Sequence, residues 1–204
     1  MEYAFSKSGF KIVRKAVSKE ICDFCYEYLL LKKEVARQLF LHQIADPHQD
    51  IWGTYDDGDV PHTYSHYADI AMEILLKRLK PVVEEATKLK LVENYSYLRV
   101  YKYGDVLKRH QDRDSCEIST TLNIGTDKVW PIYMKNHKGE YKVLLSPGDM
   151  LIYEGIILEH WRKKFTGKNC AQAFFHYNNI RKSGYRNKYD GRESLGLPSY
   201  AKKK

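Results

Sequence analysis

The chain of 204 residues lacks long apolar runs. No stretch approaches the roughly 20 apolar residues that a membrane-spanning helix requires, and the opening MEYAFSKSGFKIV lacks the apolar centre of a signal peptide. These absences argue against a membrane protein and predict a cytoplasmic one. With 43% hydrophobic and 29% charged residues, the composition is typical of a single globular domain with a substantial core.

Cysteine is also scarce, and the four cysteines fit reduced thiols in the cytoplasm. Cys22 and Cys25 have the C-x-x-C spacing of a redox or zinc pair. However, no second C-x-x-C follows, and the pair lies in ICDFCYEYLL, an apolar run with helical character. We therefore interpret both thiols as part of a helix that packs into the core.

A basic surface is missing from most of the chain, although the formal net charge is +8. From residue 180 onward there are eight basic and two acidic residues, which account for six of the eight net charges. The body therefore resembles an ordinary surface, and nucleic acid is not an expected partner. We expect residues 181–204 to form a loosely held basic tail outside the active site.

Hydrophobic periodicity predicts helices in the first half of the chain. Residues 10–17 alternate as in a short strand, and Ser18 is a suitable N-cap for a helix that runs to about Leu31. Helical spacing continues over residues 33–44 and returns over about 68–88. The segment between these two stretches is rich in Asp, Gly, Pro and Tyr, which is typical of a long functional loop.

After residue 94 the pattern changes to short strands separated by turns. The predicted strands are YSYLRVYKY, VLKRHQD, EISTTLNI, WPIYMKN, EYKVLLS, DMLIYEG and CAQAFFHYNN. Helices followed by antiparallel strands predict an α+β domain built around a β-sandwich or jelly roll. We divide this single domain into N-terminal support elements (1–94), a jelly-roll core (95–180) and the basic tail (181–204).

The segment LKRHQDRDSCEIS places His110 and Asp112 two positions apart. On a strand, both side chains point to the same face and can meet at one point. His160 follows 48 residues after Asp112, on or beside another predicted strand. Two histidines and one carboxylate with open coordination positions suit a non-haem iron(II) oxygenase. A surface ion pair and a tetrahedral zinc site with an open position are the alternatives.

The remaining histidines lie mostly in predicted loops, where a solvated ring is the ordinary interpretation. His176 differs because it follows the apolar residues AFF on a predicted strand. It is interpreted either as a core histidine with satisfied hydrogen bonds or as a residue that lines a pocket.

Several segments resemble the prolyl-4-hydroxylase branch of the 2-oxoglutarate- and iron(II)-dependent dioxygenases. RVYKYGDVLKRHQD carries that family's Tyr, Gly and H-x-D at Tyr101, Gly104, His110 and Asp112. STTLNIG resembles its next core strand, SPGDMLIYEG the turn before its distal histidine, here His160, and FTGKNCAQAFFHY its closing strand. The resemblance covers nearly the whole chain. A narrower likeness, carried by DR-x-x-CE-x-S and EHWR, is to short bacterial and phage members.

This resemblance implies a double-stranded β-helix (jelly roll) with N-terminal support helices. It also implies iron(II) bound by His110, Asp112 and His160, 2-oxoglutarate as co-substrate, and ascorbate as an optional reductant. The expected activity is hydroxylation of an amino-acid side chain, such as proline, in a peptide or protein. Nucleic-acid demethylation by the same chemistry and a non-catalytic binding module are the alternatives.

One position departs from the family pattern. The family places an Arg or Lys nine or ten residues after the distal histidine to pair with the far carboxylate of 2-oxoglutarate, whereas Asn169 and Cys170 are neutral. Arg99, on the same strand face as Tyr101, is therefore the expected partner, with Lys168 as a weaker alternative. The competing interpretations are a salt bridge at the rim for Arg99 and an ordinary turn lysine for Lys168.

Arg113 follows Asp112 directly and points the other way on an ideal strand. We expect it to orient Glu117 or Asp114, or to contact the substrate.

Overall fold

The computed structural model describes residues 5–182 and 184–202, and three α-helices, two short 3-10 helices (Asp50–Trp52 and Lys188–Gly191) and ten strands lie in this part of the chain. The α-helices are α1 (Phe5–Ser8), α2 (Lys19–Leu41) and α3 (Ile70–Thr87). The strands are β1 (Phe10–Val13), β2 (Tyr64–Tyr67), β3 (Leu91–Lys102), β4 (Leu107–His110), β5 (Ile118–Thr126), β6 (Ile132–Asn136), β7 (Gly139–Val143), β8 (Met150–Glu154), β9 (Glu159–Arg162) and β10 (Asn169–Asn179). Among the described residues, no helix is both long and apolar enough to cross a membrane.

The strands form two antiparallel sheets. The major sheet has the order β1-β8-β5-β10-β3-β2 and the minor sheet the order β4-β9-β6-β7. Apolar side chains from both sheets pack together between them; they include Phe10, Leu151 and Tyr153 of the major sheet and Ile132, Met134 and Val143 of the minor one. The predicted fold class, an α+β jelly roll with support helices, is therefore confirmed.

Helices α2 and α3 cover the other face of the major sheet, and their apolar sides join one core cluster with it. Ser18 caps α2 as predicted, because its side chain accepts a hydrogen bond from the Ile21 N–H. Asp69 caps α3 in the same way through the Met72 N–H. Cys22 and Cys25 are buried on the inner side of α2, which confirms their interpretation as core residues.

Three boundaries differ from the sequence-based predictions. The two helical stretches expected before residue 44 form the single helix α2, because the apolar side continues without a break through Ala36. The predicted long loop contains β2, which adds to the edge of the major sheet by pairing with β3. The sheet also crosses the division drawn at residue 94, because β1 and β2 belong to it.

The C-terminal segment packs against the domain, in contrast to the loosely held tail that its charge suggested. Arg192 donates hydrogen bonds to Glu73 of α3 at 2.8 Å and 3.4 Å, and both side chains are at most 2% exposed. Asp190 is also buried and pairs with Arg113 and Lys202. Part of the basic excess is thus consumed by internal ion pairs, which composition alone does not reveal.

Replacing Arg192 by Ala should lower the free energy of unfolding by about 3–5 kcal/mol, because Glu73 would remain buried without its partner. Urea denaturation followed by circular dichroism measures this change. Arg186→Ala is the matched control, since Arg186 is an exposed arginine of the same segment, and its loss should cost less than about 0.5 kcal/mol. Equal stabilities of the two variants would show that the buried pair does not hold the segment.

Candidate metal centre

Strands β4 and β9 bring the two candidate histidines together. His110 lies directly opposite His160 in the antiparallel ladder, and their ring centroids are 4.2 Å apart. The sequence predicted Asp112 on the same strand as His110. Strand β4 ends at His110, however, so Asp112 lies in the turn that follows it. Instead, the Asp112 N–H donates to the Gly155 carbonyl at 2.9 Å, which ties the turn after β4 to the end of β8.

Both imidazoles are oriented by the same backbone device. Nδ1 of His110 is 2.8 Å from the Lys108 carbonyl, and Nδ1 of His160 is 3.1 Å from the Leu158 carbonyl. A carbonyl only accepts hydrogen bonds, so Nδ1 carries a proton in each ring and Nε2 is the nitrogen left for a metal; at His160 the Tyr153 hydroxyl lies 3.4 Å from Nε2. The two Nε2 atoms lie 3.8 Å and 3.5 Å from Oδ1 of Asp112.

These three side chains can provide one ligand atom each, and the atoms lie within 4.8 Å of one another. His160 is only 3% exposed, and burial lowers its pKa to about 4 despite the opposing effect of Asp112. The ring is therefore neutral at pH 7, which is the form that binds a metal. The sequence-based triad of His110, Asp112 and His160 thus comes together with its candidate ligand atoms facing one another.

The second oxygen of Asp112 is held by a buried hydroxyl. Ser119 on β5 donates to Oδ2 of Asp112 at 2.6 Å, and its Oγ is 3.0 Å from Nδ1 of His176. The carboxylate therefore turns Oδ1 toward the histidines and leaves Oδ2 to the protein, which favours a single metal bond. Of the two interpretations of His176, both apply, because the ring is buried and lines the cavity at the site.

Sequence reasoning assigned no role to Ser119 or Gly155. Ser119 is the last residue of DR-x-x-CE-x-S, but the sequence does not show that its hydroxyl donates a hydrogen bond to Asp112. At Gly155, a Cβ atom would lie 2.4–2.5 Å from the Cys116 carbonyl, Ser119 Oγ and Asp112 Oδ2. Only hydrogen fits this space, so Gly155 allows the carboxylate and its supporting hydroxyl to approach the backbone.

A cavity of about 370 Å³ opens in front of the triad. Aromatic side chains of β3 and β10 form one wall, and residues 57–59 of the loop before β2 form another. Arg113 lines the entrance, where it pairs with Asp190 at 2.9 Å and contacts the Tyr95 hydroxyl at 3.2 Å. Neither expected carboxylate partner of Arg113, Glu117 or Asp114, is the one that it contacts here.

The expected co-substrate residues occupy three different environments. Arg99 also lines the cavity, but its guanidinium binds Asp57 through two hydrogen bonds, at 2.6 Å and 2.9 Å, and Asp59 through a third at 2.6 Å. Its charge is thus already balanced, which favours the salt-bridge interpretation. Lys168 is exposed in a turn. Tyr101 is fully buried, and its hydroxyl has no hydrogen-bond partner among the described residues.

Several solved structures resemble this chain. A prolyl-4-hydroxylase from Pseudomonas putida is 12% identical, with a TM-score of 0.63 over 86% of this chain and 95% of its own. HygX from Streptomyces hygroscopicus, with nickel and 2-oxoglutarate bound, is 14% identical, with a TM-score of 0.61 over 86% of this chain and 84% of its own. The viral collagen prolyl hydroxylase vCPH of Paramecium Bursaria Chlorella virus-1, in complex with 2-oxoglutarate, is 10% identical, with a TM-score of 0.57 over 86% and 98%.

No protein-family model and no curated protein matches the sequence of the chain. At identities of 10–14%, the structural likeness establishes the fold. The chain therefore has the jelly roll that occurs in iron(II)- and 2-oxoglutarate-dependent oxygenases.

Replacing Gly155 by Ala should weaken nickel(II) binding about 10–100-fold, because the new methyl group would displace Asp112 and Ser119. Calorimetric titration measures this affinity without redox chemistry. Gly58→Ala is the matched control, since Gly58 lines the same cavity but its Cβ would meet nothing within 4 Å. Wild-type nickel affinity in Gly155→Ala would contradict the close approach at this glycine.

Proposed function

We propose that the protein is an iron(II)- and 2-oxoglutarate-dependent dioxygenase that hydroxylates a C–H bond. The observation that carries this proposal is the convergence of both Nε2 atoms on Oδ1 of Asp112. Two imidazoles and one carboxylate on one side of a metal leave its other side open, as such oxygenases require. The bound iron would supply oxygen activation coupled to the oxidative decarboxylation of 2-oxoglutarate.

The choice of iron over zinc rests on the fold and on the openness of the site. Zinc binds the same three ligands in tetrahedral hydrolytic centres. The solved structures that share this fold include an iron-bound EctD and a nickel- and 2-oxoglutarate-bound HygX. The cavity at the triad also has room for a small co-substrate beside the metal.

The protein's own residues position the ligands and exclude water. Ser119 fixes the carboxylate of Asp112, and backbone carbonyls fix both imidazoles. Leu107, Ile132 and Phe174 line the cavity with apolar surface. A dry, preorganised site is what oxidative chemistry on a C–H bond needs, because it protects reactive species from side reactions.

We propose an amino-acid side chain of a peptide or protein as the target. Two solved structures with this fold are named as prolyl hydroxylases. The cavity volume of about 370 Å³ is small for a ligand site, which favours a single side chain that enters from solvent. Arg192 and Lys202, which contribute to the basic excess, pair with buried acids instead of forming a groove for nucleic acid.

Replacing Asp112 by Ala should abolish both iron binding and 2-oxoglutarate turnover, because the only carboxylate of the triad is lost. Anaerobic iron(II) titration should give one ion per wild-type chain, and succinate formation reports turnover. Asp114→Ala, which alters an exposed carboxylate two residues away, should leave both unchanged. Full iron stoichiometry in Asp112→Ala would place the metal elsewhere, and a zinc-loaded wild type without turnover would reject the oxygenase.

A further inference from the structure

Arg162 is a buried cation without a carboxylate partner. Arg162 is the largest fully buried side chain among the described residues. It makes no salt bridge with any residue in 5–182 or 184–202. Its Nη1 donates to the Trp130 carbonyl at 2.6 Å and its Nη2 to Oε1 of Gln172 at 3.1 Å. Nε has no hydrogen-bond partner in this part of the chain. The two neutral acceptors leave the positive charge unbalanced.

An unbalanced buried charge is costly, and proteins usually pair it or use it. The other two buried arginines of the fold follow the first course, since Arg99 binds Asp57 and Arg192 binds Glu73. Burial lowers the pKa of Arg162, but guanidinium groups remain charged in proteins. An anionic ligand is the partner that would balance Arg162.

Arg162 also has the correct place for such a ligand. It follows His160 by two residues on β9, so both side chains point to the same side of the strand and their Cα atoms are about 6.6 Å apart. Its partner in the β4–β9 ladder, Leu107, lines the cavity. Arg162 and Tyr101 are buried and do not themselves line the cavity, so an anion held at the metal ligands would have to extend past Leu107 to reach the guanidinium.

Tyr101 supplies a second unused group at the same place. Its ring centroid is 4.8 Å from that of Trp130, and the Arg162 Cζ is 4.9 Å from the same indole. Burial raises the pKa of Tyr101, while Arg99, which also acts directly on the Tyr101 hydroxyl, and Arg162 lower it in part, so the hydroxyl stays protonated and can donate. A charged acceptor between these groups would satisfy the orphaned hydroxyl and balance the guanidinium together.

The position of Arg162 accounts for the neutral residues on β10. Family members are expected to carry the cation nine or ten residues after the distal histidine, where this chain has Asn169 and Cys170. The guanidinium nevertheless lies beside β10, because Nη2 contacts Gln172 on that strand. The charge thus reaches the same region from β9, a strand of the facing sheet.

We propose that Arg162 and Tyr101 bind the far carboxylate of 2-oxoglutarate, and that Arg99 instead fixes the loop at Asp57. This inference rests on the proposed function. It makes the chain selective for a dicarboxylate over a 2-oxo acid of equal length that lacks the second carboxylate.

The test measures two ligands against several variants. 2-Oxoglutarate and 2-oxopentanoate are titrated by calorimetry into the nickel-loaded protein, which cannot turn over. The wild type should prefer 2-oxoglutarate by about a hundredfold or more, as expected for a buried charge pair. In Arg162→Met this preference should fall to less than about threefold, while 2-oxopentanoate affinity stays unchanged. A purely structural role of Arg162 would weaken both ligands equally.

Tyr101→Phe provides a second test in case Arg162→Met does not fold, because this substitution removes only an unpartnered hydroxyl. It should weaken 2-oxoglutarate about tenfold, leave 2-oxopentanoate unchanged and preserve the unfolding midpoint. Arg99→Met is the matched control and should retain the preference, although the protein becomes less stable.

The outcomes separate the two proposals. If the nickel-loaded wild type binds neither 2-oxo acid, the proposed function is wrong. If it binds 2-oxoglutarate selectively and Arg162→Met and Tyr101→Phe retain that selectivity, the assignment to Arg162 is wrong. Loss of selectivity in Arg99→Met alone would return the carboxylate site to Arg99.

Discussion

The orientation of three polar side chains inside an apolar sandwich is the constraint on which the site depends. An imidazole binds a metal through an unprotonated nitrogen, and at His110 and His160 a backbone carbonyl two residues earlier holds the proton on Nδ1 and leaves Nε2 for a metal. The two histidines face each other across the β4–β9 pair. The register of one short ladder therefore brings the two imidazoles of the candidate site together, and the rest of the fold holds that ladder in place.

Charge balance explains how the chain outside the jelly roll contributes. Two of the three buried arginines are neutralised by contacts between segments that are distant in sequence: the loop before β2 brings Asp57 to Arg99, and the C-terminal segment brings Arg192 to Glu73. Each pair closes one side of the domain, and breaking either pair would leave a charged group buried without a partner. The contrast with Arg162, which lacks such a partner, separates structural cations from one available to a ligand.

Most of the fold and the candidate metal triad could be predicted from local patterns in the sequence. Ser18 was recognised as a helix cap by residue type, and the paired strands by their alternation, because neighbouring residues determine both features. His110 and Asp112 share one turn, and the resemblance added His160. The identity of the cationic partner could not be read in this way. Arg99 and Tyr101 do share a strand face, but Asp57 lies 42 residues earlier and nothing local indicates that it reaches Arg99.

A sandwich permits a functional charge to move to the facing sheet while it keeps its position in space. Facing sheets pack about 10 Å apart, so a long side chain on β9 in the minor sheet can cross the interior and reach β10 in the major sheet. Arg162 does so through Gln172, and the small neutral Cys170 leaves room beside it. A motif that counts residues along one strand does not detect this cation, although the cation is still present in the protein interior. In this chain, the proposed co-substrate site is therefore indicated by an unbalanced buried charge near the candidate metal ligands and not by the residue count after the distal histidine.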